Sequence, residues 1–247
     1  MTRSLMAVPL LFLLACAGGG NKAPALEVPP PIPDAAISGI YTGTVYSNET
    51  GMTHAVHALI MPDLTFRYVT SDWTEAVGSM IASGNAIKGA GTMYVPPSSA
   101  YSLSISATAS STRLSGSFSD AGTGTVTLTP DATANVSVNQ LYQIPGNYQA
   151  LAADSSTGLD EILRIDGNGN ITGGDSWGYF TGLIYQTTTT GLNAFSVSIT
   201  YTTNRGAVIN YSGSAYLEPG SPSHILIQTN SPTGNMIFAA SFTYLGS

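Results

Sequence analysis

Apolar and hydroxyl-bearing residues alternate along much of this chain, and no other feature limits its possible folds so strongly. In residues 101–106, Tyr101, Leu103 and Ile105 are separated by serines, and residues 195–200 repeat the pattern from Phe195 onward. Side chains two residues apart lie on the same face of a strand, so this period predicts strands with one buried face. The chain is therefore expected to fold as sheets that cover one face and expose the other.

Turn-forming glycine, asparagine, aspartate and proline residues divide the chain into short segments with this alternation. Eight strands are predicted in the first half, near 40–46, 55–61, 64–70, 76–82, 86–94, 100–108, 112–119 and 124–129. Eight more are predicted near 147–152, 160–166, 169–174, 178–186, 193–202, 206–217, 223–229 and 235–245. Connections this short favour antiparallel neighbours.

We predict an all-β fold with two tandem, similar, eight-stranded antiparallel barrel-like domains, at residues 37–130 and 144–247, joined by a linker at 131–143. Closure into a barrel removes the exposed strand edges of an open sheet. The alternative is one large β-sandwich or barrel formed by both halves. In general architecture the predicted domains resemble calycins.

Similar segments recur in the two halves in the same order and predict an internal repeat. The matched pairs are 37–41 with 144–148, Trp73 with Trp177, 101–106 with 195–200, and 115–118 with 212–215.

The N-terminal residues resemble those of bacterial lipoproteins. Arg3 precedes an apolar run at 5–14 that has the length of a signal-peptide core and is too short to span a bilayer. Leu13 to Cys16 then matches a lipobox, with the only cysteine of the chain at its end. The resemblance implies a signal peptide at 1–15 and acylation (palmitate among the chains) of Cys16 as a lipid anchor. Because Ala17 rather than aspartate follows the cysteine, it also implies the outer membrane of the cell envelope.

Residues 16–36 are rich in glycine and proline, which predicts a lipidated, disordered tether. The chain has a formal net charge of −7, and its few basic residues are scattered. This acidic balance argues against a nucleic-acid partner. We expect no cofactor and no metal site. His54 and His57 are predicted on opposite faces of one strand, and Asp166, Asn168 and Asn170 are predicted to form a hairpin turn.

Three further patterns give candidate residues. Trp73 and Trp177 are predicted at equivalent loop–strand junctions, where they could contact an apolar or sugar ligand at a barrel mouth or plug the core. The pentapeptide at 174–178 matches G-x-S-x-G and resembles GDSL-type hydrolases, which implies a nucleophilic Ser176 with Glu218 and His224 as its partners. The sequence Asp72 to Glu75 predicts one capped helical turn, and Asp160-Glu161 predicts a solvated strand start.

These observations favour a non-enzymatic outer-membrane lipoprotein that acts as a binding, interaction or envelope-scaffold module. Two-lobed barrel lipoproteins of the transferrin-binding type are similar in architecture alone. The first alternative is a carrier of a small apolar ligand in a barrel mouth, and a remote alternative is a serine hydrolase at Ser176. The expected partners are the membrane, through Cys16, and either a protein or a small apolar ligand.

Overall fold

A computed structural model describes residues 37–96, 99–120, 122–135, 143–186, 192–218, 224–231, 233 and 236–247. The predicted signal peptide, tether and Cys16 lie outside these residues, as does most of the predicted linker.

Two closed, eight-stranded, antiparallel barrels form the described part of the chain, which confirms the predicted all-β tandem-barrel fold. Barrel 1 comprises β1 Gly39–Ser47, β2 Thr53–Ile60, β3 Thr65–Thr70, β4 Glu75–Ser83, β5 Ala86–Val95, β6 Ser99–Ala109, β7 Leu114–Ser119 and β8 Thr123–Pro130. Barrel 2 comprises β9 Gly146–Ala150, β10 Glu161–Ile165, β11 Asn170–Gly174, β12 Gly178–Gln186, β13 Ala194–Thr203, β14 Val208–Glu218, β15 His224–Ser231 and β16 Met236–Gly246. A short 3₁₀ turn at Ala152–Asp154 follows β9.

Each barrel is an up-and-down meander in which every strand pairs with its neighbours in sequence. Pairing of β1 with β8 closes barrel 1, and pairing of β9 with β16 closes barrel 2. The alternating residues fill the interiors as predicted: Phe195, Val197 and Ile199 of β13 are buried in the core of barrel 2. The hydroxyl-bearing residues between them are more exposed.

Each barrel has the same tyrosine hydrogen bond at its first strand. The hydroxyl of Tyr41 donates a hydrogen bond to the carbonyl oxygen of Ile37 at 2.7 Å, and the hydroxyl of Tyr148 donates one to Ile144 at the same distance. Both tyrosines lie on the first strand of their barrel. The matched segments 37–41 and 144–148 therefore occupy equivalent positions.

Two of the other sequence matches are wrong in register. Residues 101–106 lie in the sixth strand of barrel 1, whereas residues 195–200 lie in the fifth strand of barrel 2. Residues 115–118 and 212–215 are displaced by one strand in the same way. Neighbouring strands of a meander run in opposite directions, so these pairs cannot be equivalent. Every half-buried strand shares the same alternation, and the pattern therefore does not identify a particular strand.

A third apolar core lies between the barrels. It is formed by outward-facing strand residues that the alternation alone would place in solvent, together with two loop residues, Ala134 and Leu192. The strand residues are Ile40, Leu59, Val69, Ala194, Tyr216, Leu226 and Ala239. Strand β15 contributes to both this core and the barrel interior, and all residues from Ile225 to Ser231 are buried. This double burial explains why the β15 sequence does not alternate.

Hydrogen bonds between polar groups also connect the two barrels. Arg67 of β3 donates hydrogen bonds from Nη1 to Glu75 Oε1 and to Asn230 Oδ1, both at 2.8 Å. Its Nη2 donates to the carbonyl oxygen of Ser212 at 3.2 Å. The Arg67–Glu75 pair of barrel 1 is thus joined to two strands of barrel 2, and the Glu75 side chain is fully buried.

The predicted helical turn at Asp72 to Glu75 is wrong. Glu75 is the first residue of β4, and its carboxyl faces Arg67 instead of capping a helix. Trp73 lies before it in a tight turn with φ of 63°. The pairing of Glu75 with β3 and β5 and its contact with Arg67 outweigh the weak local preference for a capped turn.

Candidate functional site

Barrel 2 has a cavity of about 870 Å³ at one end, which we call the barrel-2 cavity. This volume lies within the range of about 300–1,000 Å³ that is typical of small-molecule sites. Its apolar and aromatic lining includes Trp177, Tyr201, Ile209, Tyr211, Met236 and Phe238 of barrel 2. These residues come from one turn and from the strand ends that meet at the same rim. Pro96, which follows β5 of barrel 1, also borders the cavity.

The β11–β12 turn carries Trp177 to that rim. Asp175 Oδ1 accepts hydrogen bonds from the backbone nitrogens of Trp177 at 2.6 Å and Gly178 at 2.9 Å. The Tyr201 hydroxyl donates to the same oxygen at 2.9 Å. Although its backbone is held by the turn, Trp177 is 69 % exposed. Burial and Asp175 both raise the pKa of Tyr201, so its hydroxyl remains a donor.

A buried carboxyl lies beneath the cavity. Glu161 is fully buried, and its Oε1 accepts hydrogen bonds from Ser155 at 2.7 Å and Thr157 at 2.6 Å. Its Oε2 is also buried but has no hydrogen-bond partner. Burial raises the pKa of Glu161 to about 7, and the nearby charge of Asp175 acts in the same direction. Burial likewise raises the pKa of Tyr211 to about 12, with a contribution from Glu161.

The sequence prediction for Glu161 as a solvated strand start is wrong. Glu161, Leu163 and Ile165 are the buried residues of β10, so all three point into the barrel. The alternation of Ile162 and Arg164 with these residues was the signal that could have revealed the inward carboxylate. Only Asp160 is exposed, and its Oδ1 accepts a hydrogen bond from the backbone nitrogen of Ala152 at 2.8 Å.

Trp73 does not share the environment of Trp177. Its indole Nε1 donates to the carbonyl oxygen of Ala153 at 3.3 Å, and its ring packs against the core between the barrels. The structure therefore places Trp177 at a cavity rim and Trp73 at the contact between the barrels.

The corresponding end of barrel 1 has a smaller cavity of about 280 Å³. The acidic residues Glu49, Asp72 and Asp120 line it together with His54. His54 Nδ1 lies 3.7 Å from Asp72 Oδ1. Inside barrel 1 a void of only about 30 Å³ remains between the packed side chains.

The three residues of the hydrolase hypothesis are not brought together. Ser176 lines the barrel-2 cavity beside the start of β14, whereas Glu218 is the last residue of β14 and pairs with His224. At about 3.3 Å per residue, the seven residue steps of β14 from Tyr211 to Glu218 separate Glu218 from the cavity lining by roughly 23 Å. Glu218 instead contacts His57 of barrel 1, with 3.0 Å between Oε1 and Nδ1. This contact raises the pKa of His57.

The remaining polar candidates have local roles. Asp166 Oδ1 accepts hydrogen bonds from the backbone nitrogens of Asn168 and Asn170, both at 2.8 Å, which confirms the predicted hairpin turn. His54 and His57 have different acidic neighbours. Within the described ranges, no three His, Cys, Asp or Glu side chains are placed to hold a metal ion.

No helix in the described part of the chain has the length and apolar character needed to cross a membrane. Comparison with known proteins adds no assignment: no family model, no curated protein and no solved structure matches this chain.

Proposed function

We propose that this protein is a lipid-anchored protein of the bacterial outer membrane whose second barrel binds one small amphiphilic molecule in the barrel-2 cavity. The observation that carries the proposal is the cavity itself. A mostly apolar, aromatic lining with a few placed polar groups is the usual composition of a small-molecule site.

The contrast between the barrels supports this proposal. Barrel 1 is filled by its own side chains, since its interior void of about 30 Å³ is close to the volume of one water molecule. At the corresponding mouths, the cavity of barrel 2 is about 870 Å³ and that of barrel 1 about 280 Å³. In this proposal barrel 2 holds the ligand, and barrel 1 supports it through the shared core and the Arg67 contacts.

The proposal is one of binding without turnover. Ser176 is exposed at the cavity, but His224 lies at the far end of β14. The other two histidines belong to barrel 1. A serine nucleophile needs a base within hydrogen-bond reach, and the described residues around Ser176 include no histidine.

Replacing Trp177 by alanine should abolish ligand retention. The wild-type protein is expected to show, in native mass spectrometry, an extra mass of a few hundred daltons that is released on denaturation. Removal of a large aromatic contact in a binding site weakens binding by about 2 kcal/mol or more, or roughly thirty-fold. Trp73→Phe is the matched control, because Trp73 lies between the barrels, and this variant should retain the extra mass. The proposal is contradicted if the wild type shows only the mass of the protein. It is also contradicted if Trp73→Phe loses the extra mass while Trp177→Ala keeps it.

The lipid anchor has an independent test. The lipobox ending at Cys16 supports acylation of that sulfur, and several buried acyl chains at about 0.8 kcal/mol per CH₂ hold a protein stably on a membrane. Cells fed an alkyne-labelled palmitate should label the wild type, which should sediment with the outer membrane. Cys16→Ser should lose the label and leave the membrane fraction. Equal sedimentation of both forms contradicts the anchor. The interaction or scaffold role with a protein partner stays a prediction.

A further inference from the structure

We infer that the ligand of the barrel-2 cavity is an organic cation, whose apolar body lies against the aromatic lining and whose ammonium group faces Glu161 and Asp175. The inference rests on the proposed function and specifies the chemical class of its ligand.

Asp175 and Glu161, at this end of the barrel, form no ion pair with any basic side chain in the described part of the chain. Asp175 lines the cavity, and Glu161 lies one side chain beneath its surface, hydrogen-bonded to the cavity-lining Thr157. Each of the described ion pairs lies elsewhere, at His54, His57 and Arg67. Removing a carboxylate from water is unfavourable unless a positive charge or several donors replace that water. Asp175 has such donors in two backbone nitrogens and the Tyr201 hydroxyl, whereas Glu161 Oε2 has none.

One carboxyl oxygen of Glu161, Oε2, lacks a donor. Its inward direction follows from the burial of Leu163 and Ile165 on the same face of β10. Oε1 has the hydroxyls of Ser155 and Thr157, but the buried Oε2 has no partner. A ligand ammonium group that approaches along the side of Thr157 would supply both the missing donor and the missing positive charge.

The lining favours an organic cation over a metal ion. The rings of Trp177, Tyr201 and Tyr211 border the cavity. Aromatic faces attract ammonium groups and cover the apolar part of the same molecule. A hard metal ion would instead need a set of oxygen ligands.

An anionic ligand fits less well. Arg205 is the basic residue among the cavity-lining side chains, and it is exposed in the β13–β14 turn at the rim. An anion held there would extend its body toward Asp175 and Glu161, where like charges repel it. The titratable groups that face Glu161 across the barrel are Asp175, Tyr201 and Tyr211.

A pair of probes with the same apolar body tests the charge directly. Naphthylethylamine and naphthylethanol are titrated calorimetrically into the full-length protein at pH 8. The amine should bind about ten-fold more tightly than the alcohol, as expected for a hydrogen bond to a charged partner. In Glu161→Gln the two affinities should converge. Glu75→Gln is the matched control, because Glu75 is an equally buried glutamate outside the cavity, and the preference for the amine should persist there.

A pH titration of the wild type gives a second readout that needs no variant. Protonation of Glu161, whose pKa is about 7, should weaken amine binding as the pH falls from about 8 to about 5.5. Alcohol binding should not change with pH. Equal affinities of amine and alcohol for the wild type overturn the inference but leave the proposed function intact. If neither probe binds and no extra mass co-purifies, both are overturned.

Discussion

Replacing Arg67 by methionine should lower the free energy of unfolding by about 3–5 kcal/mol at pH 8, the usual effect of removing one partner of a buried ion pair. Arg67 is the partner of the fully buried Glu75, and the same guanidinium bonds Asn230 and Ser212 of barrel 2. Methionine keeps the apolar stem but leaves Glu75 without a counter-charge and barrel 2 without these donors.

The loss should depend on pH in a defined direction. Burial raises the pKa of Glu75 to about 7 even though Arg67 lowers it, so Arg67→Met should raise that pKa further. At pH 5 Glu75 is protonated in both proteins, and the variant loses only hydrogen bonds. At pH 8 the wild type keeps a paired carboxylate, whereas the variant must bury an unpaired charge or take up a proton. The loss is therefore expected to be larger at pH 8.

Urea denaturation at the two pH values measures this effect. Arg113→Met is the matched control, because Arg113 is exposed and bonds a single hydroxyl, that of Thr127. It should change stability by less than about 1 kcal/mol. Adding Glu75→Gln to Arg67→Met should recover much of the loss at pH 8, since the uncompensated charge is removed. If Arg67→Met and Arg113→Met lower the free energy of unfolding equally, the contacts of Arg67 do not stabilise the protein as predicted.

Replacing Glu161 by glutamine should flatten the pH dependence of stability. The folded-state pKa of Glu161 is about 7, raised from 4.5. The folded state therefore binds a proton that the unfolded state has already released between these values. The contribution of Glu161 to stability is therefore most favourable below pH 4.5 and is lost as the pH rises through 7. At about 1.36 kcal/mol per pKa unit, this shift corresponds to about 3 kcal/mol.

The difference in unfolding free energy between Glu161→Gln and wild type isolates this contribution. From pH 5 to pH 8 the variant should gain up to about 3 kcal/mol relative to the wild type, because glutamine has no proton to lose. Glu49→Gln is a control of opposite sign. The backbone nitrogen of Thr123 lowers the pKa of Glu49, so its stabilisation is present above pH 4.5 and is lost as the pH falls. Parallel pH profiles for wild type and Glu161→Gln would contradict the buried position of this carboxyl.

The candidate site was only partly predictable. Trp177 was singled out from the sequence as a ligand contact, and it does lie at the cavity rim. Trp73 lies in the equivalent turn, between the third and fourth strands of barrel 1, but its ring packs against the core between the barrels. Glu161 was missed because two adjacent acidic residues at a turn usually face water. Glu161 is buried because it lies on the face of β10 that points into the barrel.

The positions of the strands and the apolar face of most of them can be read from the local sequence. The two-residue period is a property of the extended backbone, so it can be read from neighbouring letters as in β13. The residues that resemble a lipobox and end at Cys16 are also a local pattern, and the lipid anchor remains a prediction. Tertiary structure alone decided which outward faces are covered, since the core between the barrels joins Ile40 and Leu59 to Tyr216 and Leu226. It decided as well that Arg67 meets Asn230, which is 163 residues away in the chain. Such contacts depend on how two complete surfaces fit, and no local pattern encodes that fit.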